Sequence, residues 1–172
     1  VEQFTYWQQT LSGYRPEQHA SWYDSSHQAA YSELTLDGAL TARLIAQANH
    51  PYQTEVPELL VSSLCRAMSR LGLGSSHWLL LEGHGREAIA PDLDLTRTVG
   101  WFTSSYPVQV GDQPEWGDLI CGTKEALRAV PDRGVGFNPL RYHHPQGSSL
   151  PLPDVVFNYL GVSHGQSGAW MP

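Results

Sequence analysis

The feature that most constrains this chain is Trp78–Leu81, an unbroken run of large apolar residues that halts at Glu82 and is followed by Gly83, His84, Gly85, Arg86 and Glu87. A strand with one wet face alternates apolar and polar residues, whereas a run without alternation fits a strand covered on both faces. Upstream, Thr54 to Leu71 carries Leu60, Leu64, Met68 and Leu71 at helical spacing. Thr54 is a candidate cap, Pro57 is tolerable in the first turn, and Gly72 and Gly74 form the stop. Downstream, a second apolar run reaches Val110. Helix, strand, loop and strand in that order predict an α/β layer, with the charged, glycine-rich segment at its edge.

That placement sets a carboxylate, Glu82, at the carboxyl end of a strand, where ligands gather in open α/β sheets. Glycines on either side of His84 let backbone approach a ligand closely. Two readings fit these residues. Glu82 can act as a proton acceptor, or Glu82 and Arg86 can pair across a polar surface turn.

The remaining elements follow from pattern. Val1 to Leu11 places Phe4, Trp7 and Leu11 at helical spacing, and Tyr14 to Ser26 reads as a linker. Ala29 to Leu36 alternates enough to predict a strand. Asp37 is expected to cap a helix to about Asn49, with Leu40, Leu44, Ile45 and Ala48 on one face. Asp118 to Val130 is a further helix stopped by Pro131–Gly134, and Val155 to Leu160 is a strand by its β-branched and aromatic content. Ser163 to Pro172 is expected to be poorly ordered.

Composition excludes some classes. A formal charge of -7 gives no basic face for nucleic acid. No apolar run approaches the roughly 20 residues that span a bilayer, and no signal-peptide pattern opens the chain. Cys65 and Cys121 are too few for a disulfide framework, and Cys65 is expected to be a buried thiol, as suits a reducing cytoplasm. Eight histidines are present without a metal-ligand spacing, and His143-His144 is read as a surface pair. Neither a phosphate-binding Walker loop nor a Gly-x-Ser-x-Gly elbow occurs.

Three ordered strings narrow the reading further: EGHGRE from Glu82 to Glu87, DLTRTVGWFTSSYPV from Asp94 to Val108, and FNYLG from Phe157 to Gly161. Together they resemble the epimerization domains of non-ribosomal peptide synthetases, members of the condensation-domain superfamily. The resemblance extends over nearly the whole chain. It departs at Asn138-Pro139, where family members show a Gly-Tyr-Gly-Val-Leu-Arg-Tyr-like string, so that segment is given no catalytic role.

The resemblance implies an α/β fold: a chloramphenicol-acetyltransferase-like lobe with a mixed sheet packed by helices, half of a two-lobed domain. Residues 1–172 would then form a single incomplete domain. On that reading the amino-terminal lobe with its His-His-x-x-x-Asp-Gly string, and the last strands and helix, are expected to lie outside this sequence. The implied reaction interconverts L and D configuration at the Cα of an aminoacyl or peptidyl residue held as a thioester. The resemblance further implies that the chain itself binds no cofactor and that the substrate rides on the 4'-phosphopantetheine of a carrier domain. The partners it implies are the missing lobe, a peptidyl carrier domain and neighbouring modules, with a cytoplasmic location and no nucleic acid or membrane expected.

Glu82 and the absent histidine would be the two acid-base groups, so this chain alone is expected to be inactive. Tyr159 is favoured as a second catalytic residue, its hydroxyl donating to a developing enolate, with Asn158 tying down the adjacent loop. His84, Arg86 and Trp101 are expected to support or bind substrate, and Glu87 to tolerate change. In a regular strand Asn158 and Tyr159 point to opposite faces, so both reach one tunnel only if Gly161 or a bulge twists the end. The alternative is a catalytically silent condensation-like lobe that docks a carrier domain or a neighbouring module.

Overall fold

The computed structural model describes residues 2–16, 30–87, 89 and 92–161. The three strands, β1 (Ser76–Gly83), β2 (Ser104–Gly111) and β3 (Val155–Phe157), form one mixed sheet in the order β2-β1-β3. β1 pairs antiparallel with β2, Glu82 opposite Ser105, and parallel with β3, Leu81 opposite Phe157. The helices are α1 (Glu2–Thr10), α2 (Gly38–Ala46), α3 (Val56–Arg70), α4 (Trp116–Arg128) and α5 (Phe137–His143). This is the mixed α/β architecture expected from the sequence.

The unbroken apolar run behaves as its composition demands. His77, Trp78 and Leu79 are consecutive and all buried, so β1 is covered on both faces. On one side α3 approaches, with Ser69 Oγ 2.7 Å from His77 Nε2. On the other, Trp78 Nε1 donates to the Thr10 carbonyl at the end of α1 at 2.8 Å. Trp7 meets Phe137 of α5 edge-on at 5.1 Å, and both are fully buried. Burying side chains of this size contributes about 1.5–3 kcal/mol each.

Several sequence expectations are corrected. The strand expected to end at Leu36 does not form: residues 30–37 have no regular structure, and Tyr31 and Leu34 lie exposed. Alternation makes a strand only where a sheet edge accepts its hydrogen bonds, and the described strands leave this segment unpaired. The helix after it begins as expected, with Leu40 N–H donating to Asp37 Oδ1 at 2.7 Å, but ends at Ala46 and buries no residue.

In α3 the buried face is Leu59, Val61, Ser62, Cys65 and Met68, while Leu71 is 76% exposed. The small Ser62 and Cys65 let the helix lie close to the sheet, which rotates the expected leucine stripe to the flank. Its cap is Glu55, whose N–H donates to Glu58 Oε2 at 2.8 Å, and Thr54 instead reaches Asn49. Burial pushes the Cys65 thiol up to about 12, with the nearby Asp112 charge adding to it. β3 stops at Phe157, short of Leu160. Ala29, most of the expected linker and Ser163 to Pro172 lie outside the described residues.

Candidate active site

β3 ends opposite Leu81, two residues short of the end of its parallel neighbour β1, and a cleft of about 880 Å³ opens there. Its lining combines Leu81, Tyr106 and Phe157 of the sheet with Glu55, Glu58 and Val61 of the start of α3, and Leu127 and Arg128 of the end of α4. Glu82, His84, Glu87, Arg133, Asn158 and Tyr159 also line it.

The pairing of Leu81 with Phe157 sets Glu82 beside Asn158, one step further along. Asn158 Nδ2 donates to Glu82 Oε2 at 2.6 Å. Glu82 lines the cleft and, among the described residues, has no cationic partner. A neutral amide thus orients this carboxylate without cancelling its charge. Tyr159 also lines the cleft and is half-buried. Both neighbours reach one cavity because the chain leaves the strand at Phe157, and Gly161 follows at φ 78°.

Arg86 does not pair with Glu82. Its guanidinium donates to the Leu95 carbonyl at 2.6 Å and the Gly100 carbonyl at 3.5 Å, and lies 4.3 Å from the Phe102 ring centroid. Gly85, at φ 65°, passes so near Phe102 that a Cβ would fall on its carbonyl oxygen. These residues clasp the loop between β1 and β2. Trp101 in that loop is 91% exposed and does not line the cleft. His84 does line it, accepting the Arg86 backbone N–H on Nδ1 at 3.0 Å and presenting Nε2 to Glu87 Oε1 at 3.2 Å.

Several cleft residues escaped the sequence reading. Glu87, expected to tolerate change better than Glu82, is only 21% exposed and also meets Arg133 Nε at 3.6 Å. Arg128 grips both oxygens of Glu58, at 2.8 and 3.2 Å, and the Gln53 carbonyl at 2.9 Å, welding α4 to the start of α3. The Tyr106 hydroxyl is held above its ordinary range, first by burial and then by the charge of Glu87, with Arg133 acting against both. Long-range pairings like these leave no local periodicity to read. Among the described residues no group of three potential metal ligands occurs, and no helix is long and apolar enough to cross a membrane.

Comparison with known proteins fits this arrangement. The family model described as the condensation domain matches residues 1–169. The chain belongs to the condensation-domain family. It is 33% identical over 163 residues to bacitracin synthase 2 of Bacillus licheniformis, spanning 91% of this chain and 6% of that one. It is 40% identical over 131 residues to surfactin synthase subunit 2 of Bacillus subtilis (strain 168), spanning 75% of this chain and 4% of that protein.

Among solved structures, the epimerization domain from the third module of tyrocidine synthetase B superposes with a TM-score of 0.59 at 36% identity. That match covers 69% of this chain and 26% of the solved one. The X-domain from teicoplanin biosynthesis, at TM-score 0.62 and 22% identity, shares the fold over 88% of this chain and 34% of its own. The chain therefore spans a small part of its synthase relatives and about a quarter to a third of the solved domains.

Proposed function

We propose that this chain is the portion of a peptide synthetase epimerization domain that supplies one of two acid-base groups, and that Glu82 is that group. The observation that carries the reading is the cleft-facing Glu82 at the end of β1, oriented by Asn158 and free of a cationic partner among the described residues. The 36% identity with the tyrocidine epimerization domain supports it.

The substrate in this reading is an aminoacyl or peptidyl thioester on the 4'-phosphopantetheine of a carrier domain, which enters the cleft. A base takes the Cα proton, the C–H electron pair passes into the thioester as an enolate, and a proton returns to the opposite face of Cα. Glu82 serves one face, as acceptor or donor according to direction. The other face needs a group from elsewhere in the domain, for which the family's histidine is the natural choice. Tyr159, whose hydroxyl can donate to the enolate oxygen, stabilises the intermediate. Arg86 contributes by fastening the loop beside the site.

The test uses the complete synthetase domain carrying this chain, with an aminoacyl carrier thioester in D2O. Deuterium at Cα with loss of configuration is the expected outcome. Amide-bond formation with an acceptor thioester and no Cα exchange would instead make it a condensation catalyst. A second reading, a silent docking lobe, has the fold-level likeness to an X-domain solved as a complex with OxyB in its favour, at TM-score 0.59 and 20% identity. It predicts neither reaction.

A further inference from the structure

We propose that Glu87 positions the His84 imidazole in the cleft, with Arg133 as its counter-charge, so that the site holds a second organised side chain beside Glu82. This rests on the proposed function for its catalytic consequence, though not for its geometry.

The imidazole meets one partner at each nitrogen. The Arg86 backbone N–H donates to Nδ1 at 3.0 Å, which favours the neutral tautomer with its proton on Nε2. Nε2 lies 3.2 Å from Glu87 Oε1, whose negative charge favours a proton on that nitrogen as well. His84 is itself 68% exposed and lines the cleft, so packing alone does not hold it. Glu87 has little exposure and spends its other oxygen on Arg133.

Arg133 reaches Glu87 from an unusual backbone. Asp132 and Arg133, neither of them glycine, both sit in the left-handed region at φ 47° and 48°, and Gly134 continues it at φ 83°. Such a conformation is strained for a non-glycine residue and persists only where surroundings enforce it. Here Gln3 Nε2 donates to Asp132 Oδ2 at 2.6 Å on one side. On the other, the Tyr106 ring fills the place a Gly134 Cβ would take. Strain braced from α1 and from the sheet thus delivers one guanidinium to one carboxylate of the cleft. A turn needed only to end α4 would not require it.

Two readouts on the complete domain test this. In 15N spectra of the histidine side chains, His84 should show the Nε2–H tautomer in the wild type and in Glu87→Gln, whose amide oxygen still accepts, and a mixture in Glu87→Ala. In α-proton exchange on an aminoacyl carrier thioester, Glu87→Ala should lower kcat roughly 10-fold through loss of orientation, and Glu87→Gln should restore most of it. In a His84→Ala background, Glu87→Ala should cost nothing further. Arg133→Met should move both readouts in the direction of Glu87→Ala, by less.

An unchanged tautomer in Glu87→Ala, or an equal kcat loss with His84 already removed, would overturn the proposal. Arg133→Met leaving both readouts untouched would remove Arg133 from it. A wild-type domain that exchanges no Cα proton strikes the proposed function instead, and the tautomer measurement still decides the geometry.

Discussion

The two halves of the segment from Glu82 to Glu87 are built for different ends. Glu82 ends a covered strand, faces the cleft and touches a neutral amide. In the second half, Gly85 lies against Phe102, Arg86 grips two loop carbonyls, and Glu87 holds His84 and Arg133. Two carboxylates in one short motif thus share a cleft yet differ in partners. Chemistry needs a charge that is oriented but not neutralised, while a scaffold is best made from charges that are paired.

The largest effect that would separate the halves is on stability. Gly85→Ala forces a Cβ into the Phe102 carbonyl at a positive φ, and should cost about 2–4 kcal/mol from strain and overpacking, read by urea denaturation. A cost within experimental error would show that the second half is not a scaffold.

Next, Arg86→Ala removes two hydrogen bonds and a ring contact, about 1–2 kcal/mol of local stability, and should speed tryptic cleavage after the exposed Arg97 about 10-fold. Unchanged cleavage would leave the loop without its clasp. On the other half, Tyr159→Phe should slow α-proton exchange about 10-fold, roughly 1.4 kcal/mol, with little change in the unfolding midpoint. A fall in stability without a fall in exchange would make Tyr159 a packing residue.

The smallest effect concerns Tyr106. Removing the Glu87 charge with Glu87→Gln should lower the Tyr106 titration, and Arg133→Met should raise it, followed by 13C-labelled tyrosine spectra. Because the folded hydroxyl titrates above the unfolded one, its stabilisation is complete below about pH 10 and declines as pH rises through the folded value. A tyrosine signal indifferent to both changes would move Glu87 out of the cleft.

Much of the frame was legible in the residues. Trp78–Leu81 announced a strand buried on both sides, and Asp37 announced its helix. Local pattern was less informative about partners. Tyr31 and Leu34 alternate as strand residues do, yet no described strand pairs with them, and α2 has an apolar face that stays exposed. In α3 the leucine spacing suggested one face, and the small Ser62 and Cys65 selected another.

At the site, Glu82 and the FNYLG residues were readable from motifs, whereas Arg133 was hidden in a sequence that reads only as a helix stop. Its role depends on backbone strain and a distant carboxylate, neither of which has a spacing signature. The alternative reading, a Glu82–Arg86 pair, failed for a related reason, since Arg86 finds loop carbonyls further along the chain.

The central claim is that Glu82 moves a proton. In the complete domain with an aminoacyl carrier thioester in D2O, Glu82→Gln keeps shape and hydrogen bonding to Asn158 but cannot accept a proton. Deuterium incorporation at Cα should fall by roughly 100-fold or more, with the thermal midpoint little changed. Exchange near the wild-type rate, or collapse of the fold in this variant, would contradict it.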